Sequence, residues 1–537
     1  MDVLIVGAGP AGLAAAAELA RRGVACRVVD RAPGPAPGTG CPNVWPRTLE
    51  ALDALGLPMR RYRAAGVDFT TKVWQPFGGD PITIDLREEH GPWPVPLLVP
   101  QEVTVALLVE RLRALGVEVE WGTELLRLDQ DDAGVTAELS GTGEGRPEHA
   151  RPERTRAEHA RPERTRPERT RTERARAGWL VAADGADSTA RAALGLDREV
   201  TAYPGVTWLQ LDVTVSTPHP LDPHTEYIFH GPRTHAGLVP LPGGRHRLFM
   251  SRPDELGGLG DVREVEAVLR DLAGTDLTLS APAWPWRVRP AGALAGAFRA
   301  GRCLLLGEAA RTFPLPVQSM NTGIQDAANL AWKLASVVAG TASPRLLDTY
   351  GTERRAVARE QLHRTGWLLT GSLDPDAEAL FREGHRRRGG RPLVRTEPPV
   401  DYAEGALSGP SVPGVSPAAG ERAPDAPVAT GDGGTTRLFR LLSGPEWTLL
   451  VLAGPGLDPD VAGRLRGYAR SGLAVRLVTR SAGGGDALHD VSGRLHEAYG
   501  ARDRPLACLV RPDGYLAAHS TLDRVGVLDA HLRTVLR

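Results

Sequence analysis

The run VLIVGAGPAGLAAAAELARRGVACRVVD, residues 3 to 30, constrains the fold more than any other stretch of the chain. Val3 to Val6 is a short buried-strand run. It enters Gly7-Ala8-Gly9-Pro10-Ala11-Gly12, and an Ala-rich helix follows to about Arg22. A second strand, Ala25 to Val29, ends at Asp30, 18 residues after the third glycine. This is a βαβ opening, and its glycines serve three separate ends, namely a tight turn, close approach of backbone to a pyrophosphate, and close helix–strand packing. The helix N-terminus offers amide donors and a positive dipole to phosphate. The acid at position 30 receives ribose hydroxyls. Strand, glycines, helix, strand and acid fall in order, so the spacing predicts a dinucleotide site.

At 537 residues the chain exceeds one core, and two or three domains are expected. Its hydrophobic share of 42% is ordinary for a globular protein, and a net charge of −1 argues against a general nucleic-acid binder. Lysine occurs only at Lys72 and Lys333, an arginine bias that points to a GC-rich bacterial genome. The apolar N-terminus lacks a basic n-region and is broken by glycines and a proline, so it is not a signal peptide. No segment has the roughly 18 uncharged apolar residues of a membrane span. Cys26, Cys41, Cys303 and Cys508 are scattered, with no CxxC and no metal-ligand spacing. A reduced, cytoplasmic, monomeric or homodimeric protein is expected, with neither a membrane nor a nucleic-acid partner.

Residues 146 to 176 repeat a unit close to RPERT, with 11 arginines and 6 glutamates. Almost nothing in this run can be buried, so it reads as a disordered surface loop within an insert, 142–176. It lies between the strand-like GVTAEL and GWLVAADG. In the segment after it, Asp184-Gly185 ends a strand, and Ser188 and Arg191 ride the start of a helix. Residues 200 to 290 alternate short β-like runs with turns, an antiparallel sheet that would wall a substrate. The expected organisation is discontinuous. Segments 1–70, 98–200 and 290–345 form a Rossmann-like domain. Segments 71–97 and 201–289 form the antiparallel-sheet substrate domain. A helical segment (346–395) and a Pro/Gly/Ser-rich linker (396–419) lead to an α/β unit at 420–537. The fold class is therefore α/β and α+β.

Four motifs together resemble the single-component FAD-dependent aromatic hydroxylases, the family of para-hydroxybenzoate hydroxylase. They are GAGPAG with Asp30; WPRTLEALDALGL; the D-G-x-x-S-x-x-R pattern at Asp184, Gly185, Ser188 and Arg191; and GEAAR…MNTGIQDAANLAWKLA from Gly307. The layout is similar to the larger members that oxidise phenols and polyketides, and the C-terminal unit to their thioredoxin-like tail, here without paired cysteines. The resemblance implies bound FAD, transient NAD(P)H without its own Rossmann domain, O2, and an aromatic substrate oxygenated through a peroxyflavin. It assigns Gly7, Gly9 and Gly12 to the pyrophosphate and Asp30 to the adenosine ribose. Arg47 and Gln101 fall on the flavin side, Asp184 near the bound cofactor, and Glu308 on a ribityl hydroxyl. Ala11, Arg31, Leu125, Met320 and Asn321 complete the implied site, with Asn321 opening a helix against the flavin.

The sequence also departs from the family. Glu308 replaces the usual Asp, and Arg311 the usual His. The loop FPLPVQSMN is one residue shorter and has lost its glycines; Pro316, Val317 and Ser319 stand there. These changes leave open an alternative, a cyclase or isomerase on the same scaffold with non-redox or lost FAD. Trp284 and Trp286 are candidates for an aromatic substrate wall. His230, His235 and His246 are candidates for substrate contact, and Arg289 for the flavin–substrate boundary. Cys41 reads as a packed thiol.

Overall fold

A computed structural model describes the chain except residues 39, 76–79, 89–90, 142–170, 258, 316–317, 372–399, 455–457, 481–486 and 537. Val3–Val6 is buried at all four positions and pairs in parallel with Cys26–Asp30 on one side and Trp179–Ala182 on the other. The six-stranded sheet runs Arg299–Ala300, Cys303–Leu305, Trp179–Ala182, Val3–Val6, Cys26–Asp30, Val119–Trp121. Apolar runs suit strands covered on both faces. The fingerprint helix, Pro10–Ala20, starts with Pro at its first turn, where the missing N–H costs nothing. Ala14 to Ala17 are fully buried, and their small side chains let the helices Gln101–Ala114 and Ser319–Val338 approach closely.

The seven-stranded second sheet runs Thr278–Val288, Val206–Ser216, Arg245–Pro253, Thr234–Leu241, Thr225–Gly231, Thr71–Gln75, Ile82–Asp85. One face carries Leu209, Leu211, Leu238, Leu248 and Met250 against Val265 and Leu269 of the amphipathic helix Val262–Ala273. The period of two puts Trp208 and Phe249 on the other face, where they pack with Trp45, Leu98, Leu315 and Leu369 of the dinucleotide-binding unit. One ladder row crosses this inner face: Trp286, Gln210, Phe249, Gly237, Ile228, Trp74.

The C-terminal unit has a mixed sheet, Thr435–Arg437, Pro427–Ala429, Leu488–His489, Leu473–Thr479, Trp447–Leu452, Leu506–Val510, Leu516–Thr521. Its central strand is parallel to Leu473–Thr479 and antiparallel to Leu506–Val510, a thioredoxin-like arrangement. Cys508 is buried on that last strand with no second cysteine beside it, and burial pushes its thiol up to about 12.

Three boundaries differ from the sequence reading. The helix expected to open at Asn321 opens two residues earlier, at Ser319. The RPERT insert does not extend to 176: Arg171–Ala177 is a strand pairing antiparallel with Gly134–Gly141, because a polar arm can still alternate along an exposed ladder. The rest of the repeat lies outside the described residues, as do residues 372–395 of the expected helical segment. Residues 400–419, taken as linker, are packed. The Gly409 N–H donates to the Ala517 carbonyl at 2.7 Å and the His519 N–H to Pro410 at 2.9 Å, so backbone groups there are satisfied by the sheet edge. Tyr402 and Leu407 are buried.

Candidate functional site

The turn after Val6 shows why three glycines stand there. A Cβ on Gly7, whose φ is +106°, would collide with the Ala183 carbonyl, and one on Gly12 would collide with the Gly7 carbonyl. A Cβ on Gly9 meets nothing within 4 Å, so this glycine faces open space. The groove beside the turn encloses about 220 Å³. Gly7, Asp30, Arg31, Leu125 and Asp184 line it together, and Thr123, Glu124 and Thr189 join them without any sequence signal beyond adjacency to those positions. Asp30 accepts the Ala8 N–H at 2.6 Å and the Ala32 N–H at 2.8 Å, so its carboxylate is fixed at the end of its strand with acceptor capacity to spare. Asp184 Oδ2 accepts the Ala190 N–H at 3.1 Å, while its Oδ1 is buried with no partner.

Two helix N-termini converge on this region. Neither Gly9 nor Gln318 supplies a side-chain cap. A Cβ on Gly307 would lie 3.1 Å from Ala11, and one on Gly323 would lie 3.0 Å from it, so these three small residues set the close approach. Gly307, at φ +61°, turns the chain so that Glu308 is exposed and makes no hydrogen bond to any described residue. Met320 is buried on the long helix. An anionic, hydroxyl-bearing dinucleotide fits these features: open space at Gly9, unsatisfied carboxylate oxygen at Asp184, an unengaged acid at Glu308 and two positive helix ends.

Other assigned residues are committed elsewhere. Asn321 is fully buried; its Oδ1 accepts the Trp45 N–H at 3.1 Å and its Nδ2 donates to the Asn43 carbonyl at 2.9 Å. Its side chain thus pins the 43–45 strand, and only its backbone faces the helix end. Gln101 accepts the Cys41 N–H at 3.1 Å and packs under Gly40. Burial pushes the Cys41 thiol to about 12, which makes it a packed, unreactive group. Arg47 does not turn to the flavin side. It donates to the Glu50 carboxylate of its own helix at 2.8 Å and to the Asp513 carbonyl, and lies 5.0 Å from the Tyr515 ring, so acceptors from two units hold it there.

Arg311, which replaces the family's His, is buried. It donates to the Gly307 carbonyl at 2.7 Å and pairs with Asp326 at 2.9 Å. Asp326 also takes Arg354 at 2.5 Å. A second buried cluster lies nearby. Arg511 grips Glu353 through both terminal nitrogens, at 2.7 and 2.9 Å, and pairs with Asp513 at 2.7 Å. Lys333 and Asn329 each reach Glu353 at 2.7 Å, and the Trp332 indole donates to Asp513 at 3.0 Å. The turn 511–514 of the C-terminal unit therefore plugs into the middle of the helix whose N-terminus flanks the groove. Asn329, Trp332 and Lys333 lie within the motif that begins at Gly307, but their partners Glu353, Arg511 and Asp513 belong to no motif.

On the inner face of the second sheet, Trp208 and Phe249 stack at 5.3 Å and 9°. His230 and His235 lie 4.7 Å apart, and Lys72 pairs with Glu226 at 2.8 Å. Burial, with His230 and Lys72 beside it, holds the His235 imidazole well below its usual range. His246 and Arg289 do not join this group: His246 opposes Val213 on the helix-covered face, and Arg289 pairs with Asp254 at 2.5 Å near the surface. Among the described residues no helix is long and apolar enough to cross a membrane.

An FAD binding domain family matches residues 1–365, and an aromatic-ring hydroxylase C-terminal family matches residues 416–537. A 6-methylpretetramide 4-monooxygenase from Streptomyces rimosus is 33% identical over 99% of this chain and 93% of its own. The structure of an anhydrotetracycline hydroxylase from the same species superposes with a TM-score of 0.73 at 28% identity, covering 99% of this chain and 98% of that one. An aklavinone-11 hydroxylase, solved with FAD and aklavinone, gives 0.72 at 25% identity over 100% and 98%. By a family match over most of its length and a relative one-third identical end to end, the chain belongs to the FAD-dependent aromatic-ring monooxygenases.

Proposed function

We propose that this monooxygenase hydroxylates a polycyclic, phenolic intermediate of polyketide type, using NAD(P)H and O2. The observation that carries the reading is the aromatic inner face of the second sheet, where Trp208 stacks on Phe249 and both pack against Trp45, Leu98 and Leu315 of the dinucleotide-binding unit. The flavin supplies hydride acceptance and oxygen activation when bound; the protein's part is to bind, orient and shield. Gly7, Gly9 and Gly12 bring backbone to the pyrophosphate, and Asp30 takes the adenosine ribose. Asp184 offers its unpaired oxygen, and Glu308 takes a ribityl hydroxyl. The amides at Ser319 to Asn321 present partial positive charge, worth ~0.3–1 kcal/mol toward a neighbouring anion. The apolar inner face excludes water from the reacting ring.

Relatives named for 6-methylpretetramide and anhydrotetracycline favour a fused-ring substrate over a simple phenol. The test is NAD(P)H oxidation and oxygen uptake by the FAD-loaded protein, with anhydrotetracycline, 1,8-dihydroxyanthraquinone and phenol as candidates. Stimulation by a fused-ring compound, with a hydroxylated product, is expected. FAD binding without stimulated oxygen uptake by any of them would favour a cyclase on the same scaffold.

A further inference from the structure

Three neighbouring strands of the second sheet place Trp208, Ser251 and His235 side by side on the inner face: Ser251 opposes Trp208 on one side and His235 on the other. Trp208 is 2% exposed and Ser251 is 0% exposed. Trp208 Nε1, Ser251 Oγ and His235 Nδ1 are each buried without a hydrogen-bond partner. Buried polar atoms are nearly always satisfied, so three orphans in one ladder row ask for a reason. The adjacent row on the outer face is apolar, with Leu209, Met250 and Ala236, although His246 farther along that face also has both ring nitrogens buried without a partner. A fourth orphan, Trp45 Nε1, belongs to the same apolar cluster as Trp208 and Phe249 but comes from the dinucleotide-binding unit.

The neighbouring row is flat and aromatic. A Cβ on Gly237 would run into the Phe249 ring, so the glycine lets that ring lie down across the sheet. Trp286 ends this row on the edge strand, on the same face as Gln210, and is 38% exposed. Its neighbour Arg287 points to the opposite face, toward Gly260 beside the covering helix, as the alternation of a strand requires.

We propose that Trp208, Ser251 and His235 form a polar recognition strip for oxygen substituents along one edge of a planar polycyclic substrate, whose rings extend along the neighbouring row toward Trp286. The inference deepens the monooxygenase reading and rests on it. Its chemistry is specific. The indole can only donate, so it selects a carbonyl or phenolate oxygen; the serine hydroxyl and the imidazole can donate or accept. Two strand spacings make the strip roughly 9–10 Å long, too long for the substituents of one benzene ring. A site that buries polar atoms discriminates strongly against ligands that leave them unpaired.

The test uses the FAD-loaded full chain, with Ser251→Ala and Trp208→Phe. Equilibrium dialysis measures binding of 1,8-dihydroxyanthraquinone and of phenol; thermal melting measures stability without ligand. Removing an orphan polar atom relieves the free protein, so each variant should melt higher, by roughly 2 °C. Each should also bind the anthraquinone roughly three- to tenfold more weakly, while phenol changes less than about twofold. Weaker binding with lower melting points, rescued in Ser251→Thr, would still uphold the strip, since the hydroxyl alone is restored. Melting points lowered with anthraquinone binding unchanged, or a wild type that binds phenol and the anthraquinone equally, would overturn it. Anthraquinone binding through these residues without oxygen uptake upholds the strip and overturns only the monooxygenase reading.

Discussion

Glu308 and Gly9 serve different parts of the proposed FAD site, and their substitutions should differ in kind. Glu308 is exposed beside a φ-positive glycine and free of hydrogen bonds to the described residues, so an added ligand hydroxyl is its natural partner. A charge-assisted hydrogen bond contributes ~1.5–3 kcal/mol, so Glu308→Ala should weaken FAD affinity roughly ten- to a hundredfold, with excess FAD restoring occupancy. Gly9→Val fills the open space where backbone meets pyrophosphate, and should abolish binding that excess FAD cannot recover. Flavin-fluorescence titration of both apo variants checks this, and equal affinity of Glu308→Ala and wild type would assign the acid another role. Gly237 gives a third test. Gly237→Ala must push Phe249 off the sheet, an overpacking that typically costs ~1–3 kcal/mol, read as a lower urea midpoint.

The hairpin Gly134–Gly141 with Arg171–Ala177 is closed at its end by the pair Gly141 and Arg171. Those two residues stand directly opposite, so a two-residue Asn-Gly turn is geometrically sufficient to join them. Replacing residues 142–170 by Asn-Gly should leave FAD content and turnover within about twofold of wild type, since a polar arm without apolar anchors contributes little burial; a large loss in either measurement would reveal a role for the arm. This hairpin also marks how far the sequence could be read. The βαβ opening was legible because its signal is local: glycines, helix and acid lie within 30 residues. The end of the insert was not, because RTERAR becomes a strand only through a partner with matching register. Arg47 was misplaced for the same reason, since its acceptor at Asp513 lies 466 residues away. The orphan strip on the inner face needs three strands in register before its members meet.

Across the whole molecule, the dinucleotide-binding unit and the C-terminal unit share buried charge. Glu353, Lys333, Arg511 and Asp513 are almost wholly buried and mutually paired. Breaking a buried pair by removing one partner typically costs ~3–5 kcal/mol, so Arg511→Met should lower the urea midpoint of both units together, whereas a free-standing C-terminal unit would lose stability alone. Burial alone would raise the Glu353 carboxyl, but Arg511 and Lys333 outweigh it and hold it well below its ordinary 4.5. A depressed carboxylate stabilises the fold fully above its unfolded value and loses that contribution as pH falls through the folded one. Wild type should therefore hold its stability down to about pH 4.5 and lose it below, and Arg511→Met should unfold at a higher pH, as followed by circular dichroism. The same plug has a consequence for biosynthesis. Arg511 follows Glu353 by 158 residues, and ribosomes add roughly 5–20 residues per second. For roughly 8–30 seconds the nascent helix Ser319–Val338 waits for its clamp, so the enzyme should become competent to load its cofactor late in translation or after release.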